Sequence, residues 1–313
     1  MSKYPFLIDC NYLYPQVAAA YLIQEGDQAV FIENNTTHSV PLLLEALKKQ
    51  GLHPDQVRYL IVTHVHLDHA GGSSALMQQC RNATLLAHKK AAFHLIDPSK
   101  LVKSARQVYG DLVFEKLYGE MGPIDASRVR VMEDGETLSF GSREFLFFYT
   151  RGHADHHFCV FDSFSEGVFS GDAFGIAYPI FQSGGRFIFP STSPTGFDPV
   201  EAQISVQKII DTGAKSVFLT HFGEIKDIQE SGSQLMEHLD WSARLLEKAI
   251  HIGMSDNQLV LFCESEIRSY YQKMLDRNGA RLNPQVVDLL KLDFGLNAAG
   301  IAYVAQKRRK ASV

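Results

Sequence analysis

Residues 63–69 of the chain read Thr-His-Val-His-Leu-Asp-His, and they follow Tyr59-Leu60-Ile61-Val62, an apolar run with the length and composition of a buried strand. No other stretch restricts the fold as tightly. His64, His66, Asp68 and His69 put four metal-ligand side chains into one short loop, a pattern expected by chance roughly 0.001 times in a chain of this composition. Imidazole and carboxylate are ligands of zinc and iron. A loop leaving a buried strand can aim them at one place, and the carboxyl ends of strands are where open α/β sheets build their sites.

Four ligands at one loop are too few for two metals, and three more ligand-type residues stand at the ends of other predicted strands. His153 follows the strand 144–149, Asp172 follows 167–170, and His221 ends 216–220. Around them the chain alternates strand and helix. Ala18–Gln24 and Gln28–Glu33 flank Glu25-Gly26-Asp27 as a hairpin. Val40–Gln50 has helical periodicity and stops at Gly51, and a helix capped by Asp198 runs over 199–212. This alternation predicts an α/β layered fold. From about Ser233 the signal is helical throughout, so the expected organisation is an α/β domain over 1–232 and a helical subdomain over 233–313.

The order HxHxDH, GH, SGD, TH resembles the metallo-β-lactamase superfamily over about residues 15–225. The resemblance implies an αβ/βα four-layer sandwich followed here by the C-terminal helices. It implies a dinuclear site in which His64, His66 and His153 hold one metal, Asp68, His69 and His221 hold the other, and Asp172 bridges both. The cofactors would be two divalent ions, zinc foremost, with iron or manganese also compatible. Segments such as His94–Leu101, Val108–Asp111 and His153–His157, with Ser191–Pro194 and Phe197–Pro199, are similar to those of a prokaryotic subgroup of the family.

The implied activity is hydrolysis of a small ester-like substrate (thioester, lactone, ester or phosphodiester) by a hydroxide held between the metals, with Asp68 as the catalytic residue that orients it and carries its proton. The alternative on the same fold is a di-iron protein that binds oxygen or does redox chemistry. Departures from relatives narrow the field. Antibiotic-hydrolysing zinc lactamases carry Cys where this chain has Asp172, flavodiiron proteins usually carry Glu at the position of His66, and homoserine-lactone lactonases often carry Tyr at the position of Gly175. The family's usual Asp-Thr-Gly after the second strand is Glu33-Asn34-Asn35, a change expected to alter how the HxHxDH loop is braced.

Other features carry weaker expectations. Phe174, Tyr178, Phe181, Phe187, Phe189 and Phe197 make the loop 174–199 aromatic: a lid that selects an apolar substrate, a dimer interface, or simple burial. Phe174 and Tyr178, with His157, are the candidate substrate-binding residues; His156 and His157 also read as packing residues or supports for His153. Lys307-Arg308-Arg309-Lys310 reads as a solvated end. A net charge of −5 gives no support for nucleic-acid binding, and no apolar run approaches the 18 residues of a membrane span. Four scattered cysteines and a poor signal-peptide pattern suit a cytoplasmic protein. The expected partner is a small-molecule substrate, with no nucleic acid and no membrane, and a homodimer is compatible with the aromatic loop.

Overall fold

The structure, a computed structural model, describes residues 2–279 and 284–311. Two six-stranded sheets carry the first compact unit, which comprises residues 2–149, 156–171 and 214–226 of the described chain. One sheet is β1 (Phe6–Asp9), β2 (Ala19–Glu25), β3 (Gln28–Ile32), β4 (Val57–Ile61), β5 (Thr84–His88) and β6 (Val129–Met132), in that spatial order. Its first pairings are antiparallel and those from β3 to β6 are parallel. The other sheet is β7 (Thr137–Phe140), β8 (Arg143–Tyr149), β9 (Phe158–Asp162), β10 (Gly167–Gly171), β11 (Ser216–Leu219) and β12 (Gly223–Ile225), again in chain order, with only β10 and β11 parallel. Six helices belong to this unit: α1 (Val40–Lys49), α2 (Leu67–Ala70), α3 (Ser73–Gln79), α4 (Lys89–Ile96), α5 (Ser99–Tyr109) and α6 (Asp111–Tyr118).

The side-chain period of two explains how the sheets meet. Ala19, Tyr21 and Ile23 of β2, Val30 and Ile32 of β3, Phe145 and Phe147 of β8, and Phe158 and Val160 of β9 all enter one buried cluster. Tyr21 bridges it, with ring centroids 5.3 Å from Phe169 and 5.6 Å from Phe218. At the end of the sheets that carries the HxHxDH loop, Ala19 N donates to Thr220 O at 2.8 Å and the Tyr21 hydroxyl donates to Leu219 O. These bonds stitch the start of β2 to the strand end that carries His221. At the opposite ends of these strands, Arg143 is almost fully buried between Asp162 and Glu25. The sequence reading passes over β1, β7 and β12. All three are edge strands of three or four residues, too short to show a pattern.

The second unit comprises residues 150–155, 172–213 and 227–311 of the described chain and holds α7 (Pro199–Asp211), α8 (Ile228–His251), α9 (Asp256–Arg277) and α10 (Pro284–Ala311). This division follows spatial contact, so the loop after β10 groups with the C-terminal helices. The aromatic loop is the core of this unit. Phe174, Phe181, Phe187 and Phe189 are at most 1% exposed, and Phe187 and Phe189 pack on Tyr271 of α9 at 6.0 and 5.3 Å. Burial is therefore the outcome of the three readings of this loop. Of the basic run, Lys307, Arg308 and Lys310 are exposed, as a solvated end requires, and Arg309 alone departs from that reading. It lies on α10, where the Arg309 guanidinium donates to Ile250 O and Met254 O, each at 2.9 Å, and to Ala249 O and Ile252 O. Carbonyls at the end of α8 have no helical partner of their own, and a cation there also meets the negative end of the helix dipole.

His238 of α8 sits inside the aromatic core, 1% exposed, with Phe187, Tyr270 and Tyr271 within 6 Å of its ring. Burial pushes its pKa from 6.5 down to about 4. The folded state therefore holds His238 neutral while the unfolded chain takes up a proton below pH 6.5. Stability is fully present above that pH and is lost as pH falls toward 4, at about 1.4 kcal/mol per unit. Urea titrations at pH 7 and pH 5 should show His238→Phe losing about 2 kcal/mol less than wild type over that interval. Equal losses in the two proteins would mean that the imidazole is not held neutral.

Candidate metal centre

β4 ends at Ile61, and the chain turns at once into Thr63–His66 and the short helix α2. His64 and His69 are fully buried, His66 caps the helix, and Asp68 lies in its first turn. The rings crowd together, with His64 4.5 Å from His66, 4.0 Å from His69 and 4.9 Å from His157, and His69 5.2 Å from His221. Gly171, with φ 49°, leaves room for this: a Cβ there would fall 2.4 Å from Thr63 Oγ1 and 2.6 Å from His157 Nε2.

The hydrogen bonds of the rings fix which nitrogen is available. His221 Nδ1 lies 2.8 Å from Val17 O, and since a carbonyl only accepts, Nδ1 carries the proton and Nε2 presents its lone pair. That Nε2 is 3.5 Å from Asp68 Oδ2. His69 Nδ1 lies 3.2 Å from Glu33 Oε2, and its Nε2 lies 4.0 Å from Asp68 Oδ2. Asp68, His69 and His221 thus offer one nitrogen, another nitrogen and one carboxylate oxygen, all within 4.8 Å of one another. Lone pairs aimed at a carboxylate oxygen across 3.5–4.0 Å repel unless a cation or proton stands between them. Two imidazoles and a carboxylate are a fitting donor set for a divalent transition metal.

The second unit contains the same device. His153 Nδ1 lies 3.1 Å from Ser191 O, and its Nε2 faces Asp172 Oδ2 at 3.4 Å. Of the seven ligands expected from sequence, His64, His66, Asp68, His69 and His221 come together in the first unit and His153 and Asp172 in the second. Of the candidate substrate residues, His157 is buried beside His64. Phe174 is in the helical core near Gly232, and Tyr178, also buried, directs its hydroxyl to Asp293 of α10 at 3.3 Å. His156 accepts from Val65 N at 3.5 Å and packs near His64 and His66.

Glu33-Asn34-Asn35 holds the loop from behind. Glu33 Oε1 accepts from Thr63 N at 3.0 Å while Oε2 faces His69 Nδ1. The amides of Asn34 and Asn35 donate to His69 O at 3.0 and 3.1 Å, and Asn35 Nδ2 donates to Asp68 O at 2.8 Å. Asn35 has φ 55°, a left-handed conformation that asparagine tolerates better than most residues, which fits its replacing the family's usual glycine.

Sequence reasoning missed the phenol cluster beside Asp68. The Tyr12 hydroxyl donates to that of Tyr118 at 3.4 Å, and Tyr109 packs on Tyr118 at 5.6 Å. Burial raises the pKa of Tyr109 and Tyr118, and the Asp68 carboxylate adds to the rise in both. Scattered over a loop and two helices, these tyrosines carry no spacing signal. The backbone acceptors Val17 O and Ser191 O have no side-chain signal at all.

The family model of the metallo-beta-lactamase superfamily matches residues 13–221. A metallo-beta-lactamase fold-containing protein of Sulfurisphaera tokodaii is 27% identical over 229 residues, covering 71% of this chain and 80% of the relative. Two solved structures share the fold, each with a TM-score of 0.66. One is an archaeal superfamily protein from Sulfolobus tokodaii at 22% identity, with 96% of this chain and 99% of that chain covered. The other is a family protein from Thermus thermophilus at 18% identity, with 99% and 94% covered.

Replacing Glu33 by Ala should weaken metal binding about 10- to 100-fold in a chelator competition, because the ligand loop loses its acceptor at Thr63 N and His69 loses the carboxylate beside its ring. Unchanged affinity would show that the backbone bonds alone hold the ring.

Proposed function

Because the chain belongs to the metallo-β-lactamase superfamily, we infer that it is a dinuclear metal-dependent hydrolase of a small ester-like substrate. One observation carries this reading: histidines whose Nδ1 protons are tied to fixed acceptors turn their Nε2 lone pairs on a carboxylate oxygen, at 3.5 Å for His221 and Asp68 and at 3.4 Å for His153 and Asp172. On the family's pattern, His64, His66 and His153 would hold one cation, Asp68, His69 and His221 the other, and Asp172 would serve both. Two divalent cations, zinc foremost, supply a hydroxide nucleophile at neutral pH and a Lewis acid for the substrate oxygen.

The protein's own part is positioning and proton transfer. The carbonyl of Val17 fixes the ring orientation of His221 before substrate arrives, and the Glu33 carboxylate stands 3.2 Å from the His69 ring. Asp68 is the open member of its group, its side chain 27% exposed against 0% for His69 and 6% for His221. It can therefore orient the attacking group and pass its proton to the leaving group. A thioester, lactone, carboxylic ester or phosphodiester meets the chemistry equally, because each presents a polarisable oxygen and a leaving group that needs a proton.

Elemental analysis of protein purified without added metal should find two metals per chain. Asp172→Ala should abolish both metal loading and turnover on an ester and phosphodiester panel. Retained turnover in that variant would overturn the assignment. Two irons with an oxygen-sensitive visible band and no esterase activity would replace it with an oxygen-binding role.

A further inference from the structure

The C-terminal helices lie far in sequence from the ligands, yet one of them reaches His153. Asn297 of α10 is 3% exposed, and its carboxamide grips the chain on both sides of Ser191. Oδ1 accepts from Thr192 N at 2.7 Å and Nδ2 donates to Pro190 O at 3.1 Å. The Thr192 hydroxyl returns a bond to Asn297 O at 3.0 Å. Between those two anchors stands the Ser191 carbonyl, which accepts from His153 Nδ1 at 3.1 Å. The fit is close. A Cβ on Gly300, one turn further along α10, would fall 1.6 Å from Thr192 O, so the segment lies directly against the helix backbone. Nothing about the ligand pattern itself calls for an asparagine so far along the chain.

We propose that Asn297 is a positioning residue for the metal ligand His153, acting through the Pro190–Thr192 segment. The inference rests on the reading of His153 as a ligand. Its physical basis is direct. The orientation of a ligating imidazole is set by the acceptor of its other nitrogen, and that acceptor is a loop carbonyl with no fixed place of its own. A carboxamide is the side chain suited to the task, because it donates and accepts at once and so matches the N–H of Thr192 and the C=O of Pro190. The role is one of geometry, and Asn297 touches neither metal nor substrate.

The test uses the full chain, loaded with zinc for affinity and with cobalt for its visible spectrum. Wild type should take two metals. Asn297→Ala should lose about 10- to 100-fold in affinity for one of them, the same one that His153→Ala loses, with the other unchanged and with an altered cobalt spectrum. If Asn297→Ala does not fold, Asn297→Asp keeps the volume and the acceptor, removes the donor to Pro190 O, and should show the same one-sided loss at pH 7. Thr192→Val removes only the hydroxyl bond, leaves the carboxamide grip intact, and should bind both metals as wild type does. Affinity and spectrum unchanged in the Asn297 variants would overturn the inference while leaving the metal centre standing. Equal weakening of both metals would overturn it too, by showing a general loss of packing. A wild-type chain that takes no metal would instead overturn the reading of the centre, and this inference with it.

Discussion

The arrangement depends on a conflict between acceptors. A neutral imidazole with one nitrogen committed to a backbone carbonyl has only a lone pair left on the other, and in this protein that lone pair faces carboxylate oxygen twice, in His221 with Asp68 and in His153 with Asp172. Water would relieve such a conflict at a surface. His221, His153 and Asp172 are buried, and a cation or a proton between nitrogen and oxygen relieves the conflict there. Much of the surrounding structure maintains the conflict. Val17 reaches His221 only because β2 is stitched to the end of β11, and that stitching relies on Tyr21 spanning the two sheets.

The Glu33–Asn35 segment shows how a departure from a family pattern can preserve its purpose. A shorter acid at position 33 would have to choose between the Thr63 amide and the His69 ring at the distances seen here. The glutamate contacts both, one oxygen to each. The two asparagine amides then close on the carbonyl of His69 itself, so the helix turn carrying Asp68 and His69 is held by its backbone as well as by its side chains.

What the sequence disclosed follows from how local each signal is. His64, His66, Asp68 and His69 are legible because they crowd one loop behind an apolar strand, and His153, Asp172 and His221 because each ends a strand that can itself be recognised. The α/β layers and the helical C-terminal part follow from periodicity. The short edge strands β1, β7 and β12 are not legible, since their three or four residues are not a buried apolar run like that of β11. The supports of the site are hidden for a different reason. Val17 and Ser191 act through carbonyls that any residue possesses, and Asn297, Tyr109 and Tyr118 acquire their roles only when distant segments meet. The aromatic loop and Arg309 have signals that do not by themselves decide where the residues end up. Phenylalanines near a ligand suggest a lid, and a basic run suggests solvent, yet the former fill a helical core and Arg309 closes a helix end.

Asn35 has a consequence in the unfolded chain. Glycine reaches a left-handed backbone without strain, but it also leaves the denatured chain its widest choice of conformations. Asparagine reaches nearly the same backbone while narrowing that choice, so the chain gives up less conformational freedom on folding. Its side chain then bonds Asp68 O and Ser39. Part of the rigidity behind the ligand loop is therefore a property of the ensemble in which that loop has no shape.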